Sequence, residues 1–255
     1  MRAAIAVACG AVTVGIATAP VAEAQVLPWQ VLPWEDTGYV HINYAYQVGD
    51  RAFTESVSET VYGETATYEA NHASSGGGGL DIGGGVRVWS NLAAGVTVTS
   101  FSSASAATVS GTVPHPLFFN RPRTVAADLT GLEYKQLGIH LQAVWVMPLS
   151  EQLTVSVGGG PSFFNVDQGL LGSVTVGQET APYTTVPIGV SSTTASESVV
   201  GGNAGVDVTY MFTERLGGGA FVRWTGGAVT LPTAGGVESI GVGGVQSGAG
   251  LRIKF

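Results

Sequence analysis

The sequence predicts an all-β fold, an antiparallel transmembrane β-barrel of about eight strands, and three observations lead to this prediction. Apolar and polar residues alternate with a period of two in many segments. Charged residues make up only 11% of the chain, yet no apolar run after residue 24 is long enough for a membrane helix. Short and long connections alternate between the segments. Because only helices and closed barrels satisfy every backbone polar group in lipid, a barrel is expected.

Residues 1–24 have the layout of a secretory signal peptide. Arg2 precedes an apolar stretch, and Ala22 and Ala24 form a small-x-small cleavage site before Gln25. Cys9 is the only cysteine and lies within this segment, so the exported chain would contain no disulfide. We therefore expect an exported protein whose stability comes from other interactions.

Residues 25–37 contain the pentapeptide Gln-Val-Leu-Pro-Trp twice in succession, with tryptophans at Trp29 and Trp34. The prolines favour an extended backbone. We interpret this segment as a periplasmic extension before a barrel at 38–255. This extension is either a periplasmic contact segment or an extended stretch without a function of its own, and the pattern favours the second interpretation.

The alternating segments predict the strands in order. We place them near 38–62, 79–90, 94–110, 133–148, 152–168, 197–212, 216–230 and 237–255. Short connections lie at 90–94, 148–152 and 213–216, and longer ones at 63–78, 111–132, 171–196 and 232–236. This order is typical of membrane barrels with short periplasmic turns and longer extracellular loops, and an even number of strands places both termini in the periplasm.

The chain ends in an aromatic residue after alternating apolar positions. Leu251, Ile253 and Phe255 share one face of the last strand, and Arg252 and Lys254 share the other. This pattern resembles the C-terminal strand of bacterial outer-membrane barrels, which their assembly machinery recognises. The resemblance implies that machinery as a partner.

Four segments together carry a wider resemblance. Residues 83–89, 114–123 and 159–166 and the C-terminal strand resemble a group of bacterial outer-membrane β-barrel proteins in the small eight-stranded, opacity-like class. The resemblance covers nearly the whole exported chain. It implies the fold, the outer membrane as location, and outer-membrane lipid and lipopolysaccharide as surroundings, but no particular ligand.

Polar residues at the inward positions predict a network in the lumen. Its expected members are His41, Asn43, Asp81, Arg87, His140, Gln142, Asp207, Arg223, Arg252 and Lys254. Because an unpaired buried charge is very costly, mixed signs favour paired charges that fill the barrel. The alternative is a narrow porin-like channel for small solutes or ions.

The predicted loop at 111–132 is the most distinctive one. It combines Phe118 and Phe119 with Arg121 and Arg123 between prolines. One interpretation is a contact site for lipopolysaccharide phosphate or an unknown extracellular ligand, since arginine forks bind phosphate well. The other, slightly favoured, is a loop that folds back over the barrel mouth and buries its phenylalanines.

Catalysis, metals, cofactors and nucleic acids find little support. His72 lies near Ser74 and Ser75, and His115 lies in the proline-rich loop, but no nucleophile-elbow motif accompanies either. A lipid-modifying enzyme is therefore the least favoured hypothesis, and we expect no catalysis. No metal-binding or phosphate-loop spacing occurs, and the net charge of −8 argues against nucleic acid as a partner.

Overall fold

The computed structural model describes residues 31–49 and 51–255, which form ten strands in one antiparallel sheet. The strands are β1 (Gly38–Val48), β2 (Arg51–Val61), β3 (Glu64–Ser74), β4 (Gly77–Trp89), β5 (Leu92–Val113), β6 (Arg123–Pro148), β7 (Leu153–Val176), β8 (Ile188–Met211), β9 (Leu216–Thr233) and β10 (Gly236–Lys254). The predicted signal peptide at 1–24 and the first pentapeptide copy lie outside the described residues.

Eight strands close into a ring in the order β1-β4-β5-β6-β7-β8-β9-β10. The last strand pairs with the first, from Tyr39 opposite Lys254 to Val48 opposite Val245. The three predicted short connections are tight turns at one end of the ring, called here the short-turn end. The predicted eight-stranded antiparallel barrel is confirmed.

The strand β6 shows how the two faces of the wall change along the barrel. In its half toward the short-turn end, Leu137, Ile139 and Leu141 point outward and are exposed, while the inward Gln136 and His140 are buried. In its other half the outward positions are polar apart from Ala126. The inward positions there are apolar and buried, and they include Val125, Leu129 and Leu132.

The other long strands repeat this reversal, which divides the molecule into two parts. One part is a barrel with an apolar outer band, as lipid requires. The other part, which we call the head, is a continuation of the strands with an apolar interior and a polar outer surface, as water requires. The head core contains Tyr68, Val109, Val125, Leu129, Leu171 and Val174.

The strands β2 and β3 form a hairpin that belongs to the head. Strand β3 pairs with the outer part of β5, from Thr67 opposite Thr112 to Ser74 opposite Ser105. Strand β2 pairs with β3 only, among the pairings of the described residues. On its free edge, Arg51 donates a hydrogen bond to the carbonyl of Gly243 at 2.6 Å.

The turn between β9 and β10 contacts strand β2 of this hairpin. A Cβ on Gly235 would stand 1.5 Å from the carbonyl oxygen of Ser56, so this close approach requires glycine. The hairpin and the C-terminal strand are therefore in contact in the head without being paired.

Several predicted boundaries are wrong because the strands extend beyond the membrane. The single strand expected at 38–62 is divided into β1 and β2, and most of the loop expected at 63–78 is β3. The loops expected at 111–132 and 171–196 shrink to residues 114–122 and 177–187. Serine- and threonine-rich stretches are typical of loops, but in the head they form strands whose polar face contacts water and whose small apolar residues face inward.

The described residues include no helix that is long and apolar enough to cross a membrane.

The reversal of faces makes a testable prediction on one strand. Leu141→Arg places a charge in the apolar band and should lower the free energy of unfolding in lipid vesicles by about 2–4 kcal/mol. Thr124→Arg, also outward on β6 but in the head, should change it by less than about 0.5 kcal/mol. Denaturant titration of both variants measures the difference, and equal losses would contradict the assignment of the band.

Candidate functional site

The charged core of the lumen lies in the membrane part of the barrel and joins strands that are far apart in sequence. Arg252 on β10 donates hydrogen bonds to Asp207 on β8 and to Asn43 on β1. Arg223 on β9 forms a buried ion pair with Asp81 on β4 at 2.5 Å. Asn43 donates to Asp81 at 2.7 Å and so connects the two pairs. Five of the predicted lumen residues thus form one network.

Two further predicted residues are inward but contact neutral partners instead. The ring of His140 lies 2.7 Å from the hydroxyl of Ser162 and 3.0 Å from that of Thr99. Gln142 donates to Asn203 at 2.8 Å. These residues form a neutral polar part of the lumen beside the charged network.

The remaining three predicted residues lie toward the short-turn end. His41 contacts Asp81 at 3.2 Å, and Lys254 lies 3.4 Å from Asp36. Arg87 is exposed at the rim, where it donates to the backbone carbonyl of Trp34. Its assignment to the lumen network is wrong, because Arg87 lies near the end of β4 and its guanidinium contacts the mouth segment instead of the inner charges.

Residues 31–36, which belong to the predicted periplasmic extension, fill the short-turn mouth of the barrel. The side chain of Trp34 is only 3% exposed and packs with Tyr39, Ala93, Val144 and Val146. Its indole nitrogen donates to Asp36 at 3.1 Å. Trp34 is thus packed into the barrel mouth, and the choice between a contact segment and an extended stretch without a function of its own for residues 25–37 stays a prediction. The signal available in the sequence was a tryptophan directly after a proline, Pro33.

A cavity of about 80 Å³ lies directly behind this tryptophan. Its walls combine the aromatic rings of Trp34, Tyr39 and Phe221 with the charged side chains of Arg252 and Asp207. By volume it would hold on the order of six water molecules or one small polar ligand.

A layer of three glutamines, which the sequence analysis missed, separates the membrane lumen from the head. Gln246 donates to Gln47 at 2.9 Å, and Gln47 donates to the carbonyl of Gly243 at 3.0 Å. Tyr134 donates to Gln136 at 2.6 Å. Apolar side chains follow immediately, and this second cluster contains Phe164, Val166, Val229, Leu231, Ile240 and Val242.

One buried carboxylate, that of Glu55, lies in the apolar part of the head. Glu55 on β2 contacts His72 on β3 at 3.2 Å and accepts hydrogen bonds from the backbone nitrogens of Leu171 and Ala234. It therefore ties the hairpin to β7 and to the β9–β10 turn. His72, considered as a hydrolytic candidate from sequence, serves in this contact, and its Nδ1 has no hydrogen-bond partner.

The loop at 114–122 presents apolar side chains to solvent. Leu117, Phe118 and Phe119 are exposed, the last at 75%. The Arg121 guanidinium lies 5.8 Å from the centre of the Phe118 ring. The favoured expectation that the phenylalanines are buried under a folded-back loop is wrong. The backbone nitrogen of Asn120 donates a hydrogen bond to Glu64 at the start of β3, which fixes the loop while its apolar side chains stay exposed.

Arg123 does not belong to this exposed surface. Its guanidinium is paired with Glu179 in the β7–β8 loop and donates to the carbonyls of Pro114 at 2.7 Å and Tyr183 at 2.9 Å. Tyr62 also donates to Glu179, at 3.2 Å. We call this set the loop clamp, because it fastens three connections of the head together.

The residues predicted to form the C-terminal assembly signal lie on the outer wall. Leu251, Ile253 and Phe255 are exposed on the apolar band of β10. The backbone carbonyl of Phe255 accepts hydrogen bonds from Thr37 and Gly38. Recognition by an assembly machinery stays a prediction.

No group of three or more potential metal ligands comes together within residues 31–49 and 51–255.

No protein-family model matches the chain, and no curated protein matches it in sequence. The structure is similar to that of the outer membrane protein OprG from Pseudomonas aeruginosa, with a TM-score of 0.50 and 11% identity, over 86% of this chain and 96% of that chain. Neisserial surface protein A also matches, with a TM-score of 0.42 and 15% identity, over 86% and 97%. These structural neighbours are outer-membrane barrels, and the identities show the fold alone.

The expectation that the chain is not an enzyme requires correction. The structural matches include the outer membrane protease OmpT from Escherichia coli, with a TM-score of 0.38 and 11% identity, over 89% of this chain and 100% of that chain. The expectation that the chain is not an enzyme is therefore withdrawn. At this identity the match assigns no activity to the chain.

The charged network predicts non-additive substitutions. Asp81→Asn leaves Arg223 buried without a full counter-charge and should cost about 3–5 kcal/mol in the free energy of unfolding. Adding Arg223→Gln should recover at least 1 kcal/mol of that loss, because the unpaired charge is removed. Denaturant titration in lipid vesicles measures the cycle, and simple additivity would show that the pair is not coupled.

The loop clamp predicts a pH dependence. Hydrogen bonding from Arg123 lowers the pKa of Glu179 below its ordinary value. A lowered pKa in the folded state means that the stabilisation is present above the ordinary carboxyl pKa and is lost as the pH falls through the folded value. The protection factors of the backbone amides in residues 114–122 and 177–187, which correct for the intrinsic pH dependence of exchange, should therefore fall below about pH 4. In the Glu179→Gln variant these protection factors should already be low at pH 7. If their pH dependence is the same in this variant as in the unchanged protein, the loop clamp is not the cause of that dependence.

Proposed function

We propose that this protein is an outer-membrane barrel of a Gram-negative bacterium, exported by residues 1–24, whose rigid head makes surface contacts. Its implied partners are outer-membrane lipid with lipopolysaccharide around the apolar band, the barrel-assembly machinery, and a facing surface at the loop tip. In this orientation the short-turn end is periplasmic and the head is extracellular. The observation that carries the proposal is the exposed Leu117, Phe118 and Phe119 on a loop that is fixed at its base.

The loop is held in place by hydrogen bonds to the head and within itself. The backbone nitrogen of Asn120 donates to Glu64 at 2.9 Å, and the ring of His115 accepts from the backbone of Leu117 at 3.1 Å. The loop clamp fixes the end at Arg123. Soluble surfaces rarely expose adjacent large apolar side chains, and such patches mark interaction sites. Pre-ordering the loop lowers the entropic cost of binding.

The height of the tip argues against lipopolysaccharide phosphate as its main ligand. On β5 the last exposed apolar residue of the band is Val98, and the loop begins after Val113. At about 3.3 Å per residue and a tilt of about 40°, this length of strand rises roughly 40 Å. The phosphates nearest the membrane lie well below that height, and Arg123 is already paired. A partner on another surface that faces the bacterial cell fits the height of the tip better.

A pore for ions or solutes is less well supported. The polar lumen of the membrane part would favour it, but Trp34 fills one mouth and the layer around Phe164 and Leu231 fills the other side. An ion would have to cross an apolar layer without compensating groups, at high cost.

Fractionation tests the location. Cells producing the full chain should yield it in the outer membrane, and electrophoresis with and without boiling should show a mobility shift, because a closed barrel resists detergent until heated. Recovery in the soluble periplasm without a shift would contradict the proposal.

Adherence tests the contact surface. Cells producing the Phe118→Ser/Phe119→Ser double variant should adhere to octyl-coated surfaces several-fold less than cells with the unchanged protein, since two exposed rings are lost. Thr124→Ser, on the same head, is the matched control and should adhere normally. Equal amounts are checked in the outer-membrane fraction, and correct folding is checked by the heat-dependent shift. Unchanged adherence of the double variant would show that the tip is not a contact site.

A further inference from the structure

The segment 31–36 occupies the short-turn mouth without joining the sheet. It has no regular secondary structure. Its backbone is held by a bond from Leu32 to the carbonyl of Pro148 at 2.9 Å and by the side chain of Asn91, which donates to Leu32 at 3.1 Å. Arg87 holds the carbonyl of Trp34 from the rim. A segment with so few backbone bonds opens at a lower free-energy cost than the paired strands around it.

The segment also completes the charge balance behind it. The cavity is lined by three permanent cations and two carboxylates, namely Arg223, Arg252, Lys254, Asp81 and Asp207. The third carboxylate is that of Asp36, which lies 3.4 Å from the amino group of Lys254. The same amino group donates to Thr154 at 3.3 Å. Removal of Asp36 therefore leaves one uncompensated cation at the entrance of the cavity.

The remaining cations are not available to a ligand in the same way. Arg252 is held by Asp207 and Asn43, and Arg223 is held by Asp81, all from the barrel wall itself. Only the partner of Lys254 comes from the segment that closes the mouth. Trp34 and Asp36 act together here, because the indole nitrogen donates to the Asp36 carboxylate.

We propose that residues 31–36 are a removable stopper over a binding site for a small anion, with Lys254 and Thr154 as its ligands. In the closed state the Asp36 carboxylate occupies the place of that anion. Opening of the stopper exposes Lys254 together with the cavity of about 80 Å³. This volume suits a carboxylate or phosphate ion with a few waters. The proposal is independent of the contact surface on the head.

The absence of cysteine after Cys9 allows a thiol reporter inside the cavity. Ser156 lines the cavity, so Ser156→Cys in a Cys9→Ser background places one thiol behind the stopper. In lipid nanodiscs this thiol should react slowly with a charged methanethiosulfonate reagent. Adding Trp34→Ala should raise the rate at least tenfold, because the ring that closes the mouth is removed.

The same reporter tests the anion site. With Trp34→Ala present, inorganic phosphate or acetate should slow the reaction relative to chloride at equal ionic strength, and Lys254→Gln should abolish this protection. With Trp34 retained, Asp36→Asn should shift the preference several-fold toward a negatively charged reagent over a positively charged one.

Two controls distinguish opening from general loosening. Thr124→Cys in the head should label equally in all backgrounds, and Trp89→Ala, which removes an outward ring, should leave the cavity thiol slow. An unchanged rate in Trp34→Ala would overturn the stopper. Protection that persists in Lys254→Gln, or no protection by either anion, would overturn the anion site while leaving the surface-contact proposal untouched.

Discussion

The reversal of side-chain polarity along each strand is the constraint on which the rest of the molecule depends. Successive residues of a strand point to opposite faces, so a strand that leaves lipid for water must exchange the chemistry of both faces at one level. On β6 this happens between Lys135 and Leu137 outside and between Tyr134 and Gln136 inside. The glutamine layer lies at that level because amides can hydrogen-bond on the polar side while carrying no charge toward the apolar side.

This arrangement assigns different interactions to the two parts. In the membrane part the outer face gains stability from lipid, so the interior is free to hold paired charges such as Arg252 with Asp207. In the head the interior must supply the hydrophobic contribution, and residues such as Tyr68 and Leu171 do so. Glu55 is tolerated there because His72 and two backbone nitrogens satisfy it.

The sequence was sufficient for the barrel and its strand number, because period-two alternation and three short turns are local signals. It also identified inward residues such as Asp81, Arg223 and Arg252, which the structure brings together. Sequence-based prediction failed where a contact joins residues that are far apart in the sequence or where a strand lacks the usual alternation. The serine-rich strands of the head have the composition of loops. Arg123 pairs with Glu179, which lies in a different loop of the sequence. The burial of Trp34 depends on side chains of β5 and β6, which its own sequence neighbourhood does not reveal.

The pairing of β1 with β10 has a consequence for how the chain folds. Tyr39 meets Lys254 across almost the whole described sequence, so this ladder is the most non-local contact in the ring. Its closure carries the loop entropy of the entire barrel and cannot precede the neighbouring hairpins. Until it forms, both terminal strands expose unpaired backbone groups. The pairing of β10 with β1 therefore decides whether a nearly finished barrel becomes a closed one.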